Sequence, residues 1–119
     1  MTNLRLIALC LIFIFAGSTI HASDSRFILK EHIVVDMEKK IDWLRCSVGQ
    51  RWDGNKCVGK IVNLSLDMVP EALVIANEQL GGQWRLPSKS ELKSIVCKTC
   101  PSPKIDKAIF PNTDNAPYW

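Results

Sequence analysis

Apolar and polar positions alternate first between residues 26 and 45. Arg26–Lys30 and His32–Met37 carry β-branched and aromatic residues at strand-like density. Asp36-Met37-Glu38-Lys39-Lys40 is polar enough to turn the chain, and Ile41–Arg45 reads as the return strand. The pattern predicts an antiparallel hairpin with Trp43 as a core anchor. Gly59–Leu66 is a further apolar stretch, read as a short strand. From Asp67 to Leu80 the period changes: Val69, Leu73, Ala76 and Leu80 fall on one helical face. Proline is tolerated only in a first helical turn, so Pro70 sets the start near Asp67, and Gly81-Gly82 stops the helix. A second helix begins at Ser88. Its hydroxyl can accept from the amide three residues on while Glu91 reaches back, a capping box. Leu92, Ile95 and Val96 give it a short apolar face, and Cys97-Lys98-Thr99-Cys100-Pro101 ends it. These elements predict one α+β domain.

The N-terminus has a different pattern. Arg5 and the free amine precede an unbroken apolar run, Leu6–Ala16, followed by Gly17–Ala22 with a small residue before Ser23. That order is a secretory signal peptide, residues 1–22, cleaved before Ser23. The run is short of the ~20 residues of a bilayer span, which disfavours an uncleaved anchor and with it any membrane association. Cys10 sits inside the run and not at its end, so the lipoprotein reading fails. The expected location is the periplasm, the cell surface or the medium.

Composition narrows the chemistry. The 119 residues fit one domain, and the formal net charge of +3, with 15 basic and 12 acidic residues interspersed, has no dense basic patch for nucleic acid. Loss of the signal peptide removes Cys10 and leaves Cys46, Cys57, Cys97 and Cys100. An even count in a small exported domain reads as two disulfides, with the pairing open. If Cys46 pairs with Cys57, the closed loop contributes about 3 kcal/mol.

Cys97 and Cys100 also have dithiol redox spacing, so a thiol–disulfide oxidoreductase is the alternative function. In such enzymes the pair opens a helix, whose N-terminal dipole lowers the first thiol's pKa; here the pair follows a helix, which favours a structural bridge. Structural zinc sites show two close cysteine pairs, and this chain has one. His32 is the only histidine of the mature chain and has no nucleophile near it in sequence. Asp53, Asp106 and Asp114 do not form an alternating calcium loop. Asn63-Leu64-Ser65 matches a glycosylation acceptor, a pattern easily met by chance. No cofactor, metal or catalytic residue is therefore expected. Among the four tryptophans, Trp43 and Trp84 read as core, whereas Trp52, in a polar loop beside Arg51, reads as a contact residue.

Three stretches together resemble the Lcl C-terminal domain family, a bacterial extracellular module similar in fold to C-type lectins. The first is Trp43-Leu44-Arg45-Cys46-Ser47-Val48-Gly49-Gln50-Arg51-Trp52-Asp53-Gly54 with Cys57 and Gly59. The second is Gly82-Gln83-Trp84-Arg85-Leu86-Pro87-Ser88-Lys89-Ser90-Glu91-Leu92. The third is Ala108-Ile109-Phe110-Pro111-Asn112-Thr113 with Tyr118-Trp119. The resemblance covers essentially all of residues 23–119. It implies a partial C-type-lectin-like fold, two helices on short antiparallel strands, stapled by disulfides. It implies that Cys46 pairs with Cys57, and that Trp84, Arg85 and Leu86 form a strand entering the second helix through Pro87 and Ser88. It also implies recognition of glycans or surface polymers rather than catalysis. A formylglycine-type oxidase, related in fold, is disfavoured because its metal-binding cysteines belong to a later part of the domain. In the family the Tyr118-Trp119 strand continues into several more, so an incomplete domain is expected here. Its missing strands would come from a protein partner, or the chain is a truncated remnant or a form reduced to self-sufficiency.

Overall fold

The computed structural model describes residues 25–116. The segment expected to be a signal peptide, with Cys10 and His21, and the Tyr118-Trp119 pair lie outside the described residues. Among the described residues no helix is long and apolar enough to cross a membrane.

The chain is α+β. Phe27–Lys30 (β1), Ile33–Asp36 (β2) and Ile41–Leu44 (β3) form an antiparallel sheet in the order β1-β2-β3. The expected hairpin is thus the second half of a three-stranded meander. The first turn, at Glu31-His32, lacks glycine, proline and asparagine; Glu31 instead takes a left-handed φ of 51°. A second, two-stranded sheet pairs Arg51–Trp52 (β4) with Cys57–Val58 (β5). A 3-10 turn, Leu66–Met68, leads into the helix Val69–Leu80 (α1), and Lys89–Ser94 (α2) follows.

Three expectations need correction. Gly59–Leu66 is not a strand: its apolar residues finish in the turn before α1, and the Val62 amide donates to the Val48 carbonyl at 2.9 Å across the stapled loop. Trp84-Arg85-Leu86 is not a strand either. The Trp84 amide is held by Asn77 Oδ1 at 2.6 Å, so the segment folds back on α1 without a ladder partner. Finally, α2 stops at Ser94, before Ile95 and Val96, because Val96 leaves the helix to bridge Ile105.

Alternation places Phe27, Val34, Asp36 and Trp43 on one face of the first sheet. Phe110 sits on that face, edge-on to Phe27 at 6.5 Å and to Trp43 at 6.2 Å between ring centres. Among the described residues, Val34, Cys57 and Phe110 are the buried apolar ones. Trp43 and Trp84 are half-buried rather than enclosed.

The same face buries a charge. Asp36 is 0% exposed. Arg26 donates to it twice, Nε to Oδ1 at 2.9 Å and Nη2 to Oδ2 at 2.6 Å. The amides of Glu38 and Lys39 donate to Oδ1, each at 3.1 Å, and shape the β2–β3 turn. The guanidinium also reaches Ser94, donating to its carbonyl at 3.0 Å and its hydroxyl at 3.1 Å. A helix end leaves carbonyls without partners, and a cation there satisfies them. One ion pair therefore joins sheet, turn and α2. The Arg26 hydrogen bonds hold the Asp36 carboxyl below its ordinary range against the opposing effect of burial. The Trp43 indole N–H is buried without a hydrogen-bond partner, although it approaches Asp36 closely enough to favour the carboxylate.

Helix α1 has no buried residue. Its Val69, Leu73 and Ala76 face a cleft of about 1040 Å³ whose other wall includes Ile41, Trp43 and Trp84. Leu80, expected on the same face, is 43% exposed. β3 borders this cleft as an edge strand. The Arg45 amide bonds the His32 carbonyl, so by antiparallel alternation Ile41 and Trp43 bond β2 while the backbone groups of Asp42 and Leu44 point away.

Removing Arg26 leaves the Asp36 carboxylate buried and uncompensated. Arg26→Met should cost about 3 kcal/mol, read as a lowered urea midpoint at neutral pH; an unchanged midpoint would refute the central role of the pair.

Candidate functional site

Cys46 and Cys57 are bonded, with Cα atoms 5.5 Å apart, and Cys97 is bonded to Cys100. The first bridge ties the end of β3 to β5 and closes the longer loop, worth about 3 kcal/mol against about 2 for the second in the chain-entropy picture. Inside the first loop Gly49 has a φ of 90° and lies against the Lys60 carbonyl, where a Cβ has no room. Asp53 turns β4 into β5: its Oδ1 accepts from the Asn55 and Lys56 amides, both at 2.8 Å. These amides lower the Asp53 pKa.

Trp52 stands on this stapled hairpin, half-exposed, next to exposed Arg51. Its ring is fixed from two sides. The indole Nε1 donates to Glu31 Oε2 at 2.9 Å. The Arg45 guanidinium lies over the ring, 4.2 Å from its centre, in a cation–π contact. Arg45 is in turn held by three carbonyls: Ile109 at 2.9 Å, Glu31 at 3.0 Å and Ala108 at 3.1 Å. The sequence marked Trp52 and Arg51 but not Arg45 and Glu31. The signal for those two was weak: a cation and an acid flanking strands, 14 residues apart.

The second stretch that resembles the family, Gly82–Leu92, forms a separate polar cluster. Ser88 caps α2 as its spacing predicts: its hydroxyl accepts from the Glu91 amide at 3.2 Å, and its amide donates to Glu91 Oε2 at 2.6 Å. Arg85 adds a fork, Nη2 to Oε1 at 2.7 Å and Nη1 to Oε2 at 2.9 Å. Arg85 and the Ser88 amide together push the Glu91 carboxyl down to about 2. Trp84 closes α1, donating through Nε1 to the Gly81 carbonyl at 2.7 Å. Leu86 and Pro87 line the cleft with Trp84. The cluster organises the α1–α2 connection, and it is distinct from the Trp52 hairpin. Among the described residues no group of histidines, cysteines and carboxylates could hold a metal ion.

A small α+β module, stapled twice and presenting a fixed aromatic side chain on one hairpin, is the class these features define. The chain belongs to the Lcl C-terminal domain family, which matches residues 32–119. Membership suggests an extracellular module. No curated protein and no solved structure matches the chain.

The Glu91 pair has a pH consequence. A carboxyl lowered from 4.5 to about 2 by folding adds stability that is complete above about 4.5 and is lost as pH falls through about 2. Glu91→Gln removes that contribution. Between those pH values its urea midpoint should fall less steeply than that of the unaltered protein. Parallel slopes would show that the pair does not persist in solution.

Proposed function

We propose that this protein is an exported, non-enzymatic recognition module that binds glycans or surface polymers outside the cytoplasm. The observation that supports the reading best is the Trp52 ring, held half-exposed by Glu31 and Arg45. An aromatic face locked before binding loses little side-chain entropy when a ligand stacks on it. Arg51, the neighbouring position of the same strand, directs its side chain to the opposite face of the hairpin, so the Trp52 ring carries the reading. The staple between Cys46 and Cys57 keeps the hairpin rigid, which supports a preformed surface over an adaptive one.

A second reading concerns a protein partner. Asp42 and Leu44 direct backbone groups off the edge of β3, into the border of an apolar cleft. An extended polypeptide segment with alternate apolar residues would pair with those groups and fill the cleft between β3 and α1, which is strand addition. On this reading the partner supplies strands to the module and the Trp52 surface stays free.

The two readings separate by mutation. Protein recovered outside the cytoplasm should have an intact mass beginning at Ser23. On a panel of immobilised neutral and acidic polysaccharides it should bind at least one, and Trp52→Ala should weaken that binding roughly tenfold or more. Binding to none, or binding indifferent to Trp52→Ala, would reject the first reading. For the second, Asp42→Pro removes an outward amide; it should abolish capture of an alternating-apolar peptide strand without altering polysaccharide binding. Equal capture by both forms would reject strand addition.

A further inference from the structure

The two disulfides stand in different chemical settings. Cys57 is 5% exposed, packed where β5 meets the end of β3. Thiol–disulfide exchange needs access to a sulfur; this bridge offers it on the half-exposed Cys46 side alone, not at Cys57. Cys97 and Cys100 are both half-exposed, in a turn beyond α2 that belongs to no helix or strand. From Cys97 to Lys104 the charged residues are Lys98 and Lys104, without an acid between them. Lys104 Nζ donates to the Cys100 carbonyl at 2.7 Å, and the Thr99 hydroxyl oxygen is 3.7 Å from the Cys97 sulfur. Cations attract an incoming thiolate, and a hydroxyl donor favours a departing one.

The turn also has supports besides its S–S bond. The Cys97 amide donates to the Lys104 carbonyl at 2.9 Å, and Val96 bridges Ile105. The Lys104 side chain ties back to Cys100. With the sulfur bond open, these contacts still hold positions 97 and 100 close together.

We propose that Cys97–Cys100 is a reversible exchange site for a dithiol reductant, opened while Cys46–Cys57 stays closed and the fold stands. One thiolate of the dithiol attacks the Cys100 sulfur. The S–S bond breaks, and Cys97 leaves as a thiolate facing the Thr99 hydroxyl. The second thiol of the reductant then attacks its own sulfur in the mixed disulfide and releases the Cys100 thiolate. The dithiol becomes a cyclic disulfide, and its two protons pass to Cys97 and Cys100. Two electrons have entered the pair. In this role the chain is the substrate of exchange, not its catalyst.

The test uses the oxidised protein in graded dithiothreitol, with alkylation of new thiols and peptide mass mapping. Cys97 and Cys100 should be alkylated at a reductant concentration roughly tenfold below that needed for Cys46 and Cys57. The near-ultraviolet circular dichroism should be unchanged at that point, and oxidised dithiothreitol should restore the same pair. Thr99→Val should slow the first opening with Cys46–Cys57 unaffected. A Cys97→Ser/Cys100→Ser double variant should keep the native near-ultraviolet spectrum. The proposal is overturned if Cys46–Cys57 opens first or together with the other bridge. Loss of the tertiary spectrum, in the reduced protein or in the double variant, would overturn it too.

Discussion

The buried Asp36 carboxylate is the point on which the arrangement depends. A charge with no exposed surface is costly unless it is paired and hydrogen-bonded on every side. Arg26 and two turn amides meet that demand, and in doing so they set three things at once. They close the β2–β3 turn, bring the start of β1 against the end of β2, and dock the last turn of α2 through Ser94. Three apolar residues are buried among those described, so a directional ion pair specifies geometry that a larger core would otherwise enforce.

Arg45 performs the corresponding task on the other side of the molecule. It reaches three carbonyls in two loops and covers the Trp52 ring. The 108–110 segment it holds has no ladder of its own and brings Phe110 onto the sheet. The ring that marks the candidate binding surface is therefore fixed by the contacts that complete the core. This coupling explains how a hairpin of two-residue strands can present an ordered aromatic face.

The cleft between β3 and α1 is the counterpart of this economy. Helix α1 offers Val69, Leu73 and Ala76 without a packed layer opposite, and β3 offers backbone groups without a neighbouring strand. Amphipathic elements bury their apolar faces against another layer. Among the described residues the two walls face each other across an open cleft, which is the physical basis for a partner reading. It also separates the Trp52 surface, which is self-contained, from the β3 edge, which is not.

Much of this was legible in the sequence because it is local. The capping box at Ser88 and Glu91, the helix through Leu80 and the turn at Asp53-Gly54 are decided by residues within a few positions of one another. The resemblance to the Lcl family was read from such short stretches too, and the family matches residues 32–119. Asp36 read in the sequence as the first residue of a polar turn, and the structure instead ends β2 with it, buried on the same face as Val34. Tertiary structure alone decided its partner. Arg26 meets Ser94 across 68 positions, and Arg45 meets Ile109 across 64. It also decided that Gly59–Leu66 and Trp84–Leu86 are not strands, because a strand exists only where a neighbour accepts its hydrogen bonds, and apolar residues alone cannot supply one.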